Sequence, residues 1–297
     1  MTSFRKELTD LLRPNLESGK FSKELVDALD DLLDRAGVPR DDGSAPAAAA
    51  PKPPASAAAP PAPPPAAPAP AAPAGKLDVP ALRAFLGLPP AGGFDAAARA
   101  ALFARLSNKT AAPLTEADIA GAAATLGVAP KMISAVREVE VAGAPFDTDG
   151  RPRILFERHI FHRKTGGRFD KSHAIISDPV AGGYGKFSAQ YGKLADACAL
   201  DPDAAFQAAS WGAFQVLGSN AVALGYPSAF EMALALTVSE AAHLDSFVRF
   251  VRVNRLAAAL QACKPGNPAS CIAFVKAYNG PGFAKNDYHT KLANAAR

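Results

Sequence analysis

Residues 43–75 are almost entirely alanine and proline. Proline lacks a backbone N–H and alanine has little apolar surface, so this stretch cannot build a core. It reads as a disordered, extended spacer, semi-rigid in the polyproline form. At about 3.1 Å per residue it spans on the order of 90–100 Å. Whatever folds in this chain of 297 residues must do so on one side of the spacer or the other. The chain therefore divides into a helical head at 1–42, the linker at 43–76, a helical hairpin at 77–112 and a main domain at 113–297.

The head carries two apolar stripes, Phe4/Leu8/Leu11/Leu12 and Leu25/Val26/Leu29/Leu32/Leu33, broken by Pro14 and Gly19 and closed by Gly37 and Pro39. It is too small to hold a core alone, so self-association, docking or a protein partner is expected. In the hairpin, Val79, Leu82, Phe85 and Leu86 precede the turn P-P-A-G-G-F, and Ala98, Ala101, Leu102 and Leu106 follow it. In the main domain Thr115 and Asp118 form a variant of the capping box, and Gly127 stops that helix. Pro130 opens the next helix. Residues 141–153 are turn-rich, and Ile154–His162 suits a short strand running into a helical turn. Residues 163–200 are polar, glycine-rich and irregular, and from Asp201 onward the pattern is helical. The class is mainly α, with a small β element.

Net charge is +4, and no dense Lys/Arg run interleaved with aromatics occurs, so no nucleic-acid role is expected. Residues 1–42 carry seven basic and ten acidic side chains; residues 151–193 carry nine basic and three acidic. The second segment is a basic surface that suits an anionic polymer or is a solvated face. No transmembrane run is present, and the N-terminus lacks the apolar core of a secretory signal. Synthesis in the cytoplasm is expected, with a holin or a secretion system giving access to the periplasm or wall. Cys198, Cys263 and Cys271 form no C-x-x-C. Three reduced or buried thiols are expected, with a Cys263–Cys271 loop disulfide as the alternative.

Within P-K-M-I-S-A-V-R-E-V-E (130–140), Ile133, Val136 and Glu140 share one stripe at helical spacing. Glu140 thus ends the helix on its apolar face, whereas Glu138 falls on the wet face near Lys131 and Ser134. Desolvation raises a carboxyl's pKa, and a general acid must hold its proton near neutrality. An apparent pKa of about 6 is expected for such an acid. The bland alternative is a helix-end glutamate that swings to water or pairs with an arginine.

Three short signals occur in order: V-R-E-V-E ending at Glu140, S-W-G-A-F-Q at 210–215, and K-A-Y-N-G-P-G at 276–282. With G-R-P-R-I-L-F-E-R-H-I-F-H-R (150–163) and N-D-Y-H-T-K-L-A, they resemble the N-acetylmuramidase family of phage endolysins and related bacterial wall hydrolases, within the lysozyme-like superfamily. The resemblance covers roughly residues 113–297 and implies a lysozyme-like α+β catalytic domain. It also implies hydrolysis of the β-1,4 bond between N-acetylmuramic acid and N-acetylglucosamine in peptidoglycan, with the family's catalytic glutamate falling on Glu140. Val141 stands where the family usually has serine, which leaves the local hydrogen bonding open. The hairpin pattern L-G-L-x(5)-F-D-x(6)-L is similar to the compact helical peptidoglycan-binding repeat, without its usual glutamines.

Glycosidic cleavage needs a proton for the leaving oxygen, and a carboxylate or an activated water at the oxocarbenium-like carbon. Candidates for the second carboxylate are Asp147, Asp149 and Glu157. Asp147 and Asp149 also suit turn formation, and Glu157, between Arg158 and His159, suits an ion pair. Ser210, Trp211, Gln215, Tyr278 and Asn279 are the candidate substrate-binding residues, although Trp211 equally suits a core. His159 and His162 lack an H-E-x-x-H context and a third ligand, so no metal is expected, and no cofactor is implied. The rival functions are a lytic transglycosylase giving 1,6-anhydro products and a non-catalytic wall-binding or phage structural module.

Overall fold

A computed structural model describes residues 76–140, 144–284 and 286–297. The head stripes, the spacer and Val141 lie outside the described residues. The fold is mainly helical, with one small antiparallel sheet, as the resemblance implies.

The helical hairpin is α1 (Val79–Phe85) and α2 (Ala96–Leu106). Each helix starts on an aspartate cap, Asp78 accepting from the Ala81 N–H and Asp95 from the Ala98 N–H, both at 2.8 Å. Next come α3 (Glu116–Leu126) and α4 (Pro130–Glu140), with axes bent by 106° at the intervening turn. The expected capping box forms: the Asp118 N–H donates to Thr115 Oγ1 at 3.2 Å, and the Thr115 N–H donates to Asp118 Oδ2 at 2.9 Å. Gly127, at φ 66°, ends α3 in the left-handed region.

The sheet has the order β1-β2-β3, from Ile154–Phe156, Ala209–Trp211 and Val216–Leu217. Leu155 faces Ser210, and Ser210 faces Leu217. Around it lie α5 (Arg158–Thr165), α6 (Gln190–Cys198), α7 (Pro202–Gln207), α8 (Ala229–Leu236) and α9 (Glu240–Val253). The chain closes with α10 (Ala257–Gln261), α11 (Pro268–Asn279) and α12 (Tyr288–Ala295). Helix α4 packs on α3 and on α12, and α12 packs on α11, which brings the ends of α4 and α11 together.

Two expectations need correction. The helical pattern from Asp201 is interrupted by the β2–β3 hairpin, because S-W-G-A-F-Q-V pairs with β1 rather than continuing α7. The stretch at 163–200, expected to be irregular, contains helix α6. Its buried face includes Gln190 and Lys193 beside Tyr191, Leu194, Ala195 and Cys198, so apolar periodicity understates it. Both polar residues are satisfied by backbone: Gln190 Oε1 accepts from the Phe156 N–H at 2.9 Å, and Lys193 Nζ donates to the Gly183 carbonyl at 2.8 Å.

The core is aromatic at its centre. Phe206 stacks on Trp211 at 5.7 Å and meets Phe230 at 4.8 Å, and Phe85 of the hairpin meets Phe230 edge-on at 4.9 Å. Leu77, Leu82, Ala98, Leu102 and Leu106 are buried with them. Asn108 Nδ2 donates to the Thr237 carbonyl at 2.9 Å, and the Asn108 N–H to the Gly150 carbonyl at 2.8 Å. The hairpin therefore belongs to the compact unit that also holds α3–α12. Cys198, Cys263 and Cys271 are buried and unbridged. Among the described residues, no single helix is long and apolar enough to cross a membrane.

Candidate active site

Glu140 is placed by two helix ends. On α4, Ile133 and Val136 are buried and Glu138 is exposed, so the helix phase read from the sequence holds. On α11, the helix stops at Gly280, which sits at φ 78°, leaving Asn279 as its last residue. Asn279 Nδ2 donates to Glu140 Oε1 at 2.7 Å. Burial pushes the Glu140 carboxyl up to about 7, and the Asn279 hydrogen bond, which favours the charged form, opposes this in part. The group therefore exchanges its proton near neutrality.

Tyr278, beside Asn279, points its hydroxyl inward and donates to the Phe214 carbonyl at 2.6 Å. Its ring stacks on Phe274 at 5.5 Å and meets Phe247 and Phe250 edge-on. Burial and then the nearby Glu140 carboxylate push its hydroxyl well above the usual tyrosine range. The A-Y-N and S-W-G-A-F-Q segments are thus joined at Tyr278–Phe214, and A-Y-N meets Glu140 directly. Gln215 stands in the left-handed region at φ 48°, with its Nε2 donating to the Gly212 carbonyl at 2.8 Å.

Other sequence candidates sit differently. Trp211 is 0% exposed, and its indole N–H donates to the Phe206 carbonyl at 3.1 Å. It is a core residue, and no face of its ring is open to a sugar. Ser210 is buried in β2. Asp147 accepts from the Asp149 and Arg151 N–H groups, both at 2.9 Å, and pairs with the Arg151 guanidinium at 2.7 Å. Asp149 is exposed and also reaches Arg151, at 2.8 Å. Arg151 in turn lies over the Tyr191 ring at 4.3 Å. Both aspartates are engaged in holding this turn.

Glu157 occupies the N-cap position of α5 yet makes no capping hydrogen bond. Burial raises its carboxyl pKa, against a hydrogen bond from Tyr184 and the charge of Arg163. Its Oε2 lies 3.3 Å from His159 Nδ1, but both atoms are buried without an aligned hydrogen bond. His162 pairs with Asp170 at 2.8 Å. His243, which no sequence motif marks, is fully buried against the 212–215 turn. A lone histidine within an amphipathic helix carries no spacing signal.

Residues 129–297 match the muramidase family described as N-acetylmuramidase. The chain is also similar in structure to the endolysin of Burkholderia phage AP3, at 33% identity and a TM-score of 0.57. That likeness covers 73% of this chain and 93% of the endolysin chain, more of this chain than residues 129–297 make up. No curated protein matches the sequence. On these grounds the chain belongs to the N-acetylmuramidase family of peptidoglycan hydrolases.

Proposed function

We propose that the chain hydrolyses the β-1,4 bond between N-acetylmuramic acid and N-acetylglucosamine, with Glu140 as the general acid. The observation that carries this reading is the Glu140 carboxyl itself. It stands at the end of an apolar helix face, holds a pKa of about 7 through burial, and is oriented by Asn279. Such a carboxyl keeps a large protonated fraction near neutral pH and can give its proton to the leaving oxygen. Digested sacculi analysed by mass spectrometry test the reaction. Hydrolysis gives reducing-end products, whereas 1,6-anhydro ends, lighter by one water, would make the protein a lytic transglycosylase. Sacculi that neither clear nor release fragments would mark a non-catalytic wall-binding module.

The pH profile follows from the same group. The acid form is the active form, so kcat/KM is expected to fall as pH rises through about 7. A profile flat to pH 9 would show that Glu140 does not deliver the proton.

For the second carboxylate we favour Glu157 over Asp147 and Asp149. The two aspartates are committed to Arg151 and the turn, whereas Glu157 is half-buried, caps nothing and keeps one oxygen without a hydrogen bond. Burial raises its carboxyl pKa, and Tyr184 and Arg163 act against that rise by favouring the charged form, the form that would face a developing positive charge or a water. Glu157→Gln is expected to lower kcat by about 10²-fold with little change in melting temperature. Asp147→Asn is expected to do the reverse, losing stability rather than kcat. Equal kcat losses in the two variants would leave the partner unassigned among them and count against Glu157.

A further inference from the structure

His243 on α9 is fully buried, and both of its ring nitrogens bond to backbone. Nε2 lies 2.7 Å from the Leu236 carbonyl, and Nδ1 lies 3.0 Å from the Ala213 N–H. A carbonyl can only accept and an amide N–H can only donate, so Nε2 carries the proton and Nδ1 the lone pair. Burial lowers the ring's pKa to about 4, which keeps this neutral tautomer in place around neutral pH. The ring also packs 4.7 Å from Phe146, and a Cβ on Gly212, which has φ 71°, would come within 3.0 Å of it. The 212–215 turn is therefore moulded to this imidazole.

That turn leads to the acid. The Gly212 N–H donates to the Arg153 carbonyl at 2.7 Å, and the next residue, Ala213, is the one His243 holds. The carbonyl of the residue after that, Phe214, receives the Tyr278 hydroxyl at 2.6 Å. Asn279, adjacent to Tyr278, meets Glu140 at 2.7 Å. We propose that His243 is a positioning residue for glycan hydrolysis. Its bond to Ala213 sets the turn that anchors Tyr278, and so fixes the angle at which Asn279 presents itself to Glu140. The proposal rests on Glu140 being the acid.

Two amide variants divide the two bonds of the ring. In His243→Asn the short amide places an acceptor near the Nδ1 position, within reach of Ala213. In His243→Gln the longer amide places its N–H₂ near the Nε2 position, within reach of Leu236. Both lose ring packing, so both are expected to melt lower by similar amounts. On soluble glycan oligomers, with reducing ends as readout, His243→Asn is expected to keep kcat within about threefold. His243→Gln is expected to lose kcat by at least about tenfold at nearly unchanged KM, since small misplacements of catalytic groups cost that much. Equal kcat losses in the two variants, or none in His243→Gln, would overturn the proposal. If neither variant folds, Tyr278→Phe, which removes only the hydroxyl held by Phe214, decides instead: full activity overturns the proposal, and a kcat loss at unchanged KM supports it. Glu140→Gln is run beside them. If it is active, the acid assignment fails and the positioning role falls with it; if it is inactive while the two His243 variants lose equally, only the His243 proposal fails.

Discussion

Glu140→Gln is expected to lower kcat on soluble glycans by about 10²–10⁴-fold while binding to sacculi persists, because an amide of the same shape has no acid proton to give. The same substitution is expected to stabilise the fold at neutral and alkaline pH. Folded Glu140 titrates at about 7, above the ordinary 4.5. Between these values the folded state holds a proton that the unfolded chain has released, so the wild type loses stability as pH rises from about 4.5 to about 7. Glutamine has no such penalty. Melting curves above pH 7 should favour the variant by on the order of 2–3 kcal/mol, with the difference vanishing below about pH 4.5. A variant both inactive and less stable at pH 8 would indicate damaged packing rather than a lost proton. Glu138→Gln is the control: Glu138 is exposed on the opposite face, and its loss should leave rate and stability nearly unchanged.

The second large effect concerns where the catalytic unit begins. The sequence alone places the main domain at 113–297, with the hairpin outside it. The packing leads us to propose a start near residue 73. Leu77, Leu82, Leu102 and Leu106 are at most 3% exposed, and the hairpin shares their burial with Phe230 and Tyr191. At roughly 1.5–3 kcal/mol for each buried leucine, removing them takes away about as much as the whole stability of a domain, on the order of 5–15 kcal/mol. The 110–297 chain is expected to lack a cooperative melt and to be inactive on soluble oligomers, whereas 73–297 should melt cooperatively and match the full chain. Circular dichroism melts and reducing-end assays on both chains test this. A folded and fully active 110–297 chain would make the hairpin an accessory and put the boundary at 113. On intact sacculi, 73–297 is expected to be slower than the full chain if the head tethers it to a partner or polymer, since tethering raises local concentration.

The helix phase that puts Glu140 on an apolar face was legible in the sequence, because 3.6-residue periodicity is local and Ile133 and Val136 declare it. So were the caps at Thr115 and Gly127, which depend on residues no more than a few positions apart. The family was legible through short segments in fixed order. What remained open in the sequence concerned partners distant along the chain. Trp211 could equally have been a sugar platform or a core residue, and only its stacking on Phe206 decides for the core. Asp147 reads in the sequence either as a turn former or as a second carboxylate, and its ion pair with Arg151 is what favours the turn. Helix α6 hid its stripe behind Gln190 and Lys193, buried polar side chains made tolerable by carbonyls and an N–H from other segments. The contact of Asn279 with Glu140 spans 139 residues. No local pattern encodes such a contact; it exists because α12 packs on both α4 and α11 and brings two helix ends to the same point.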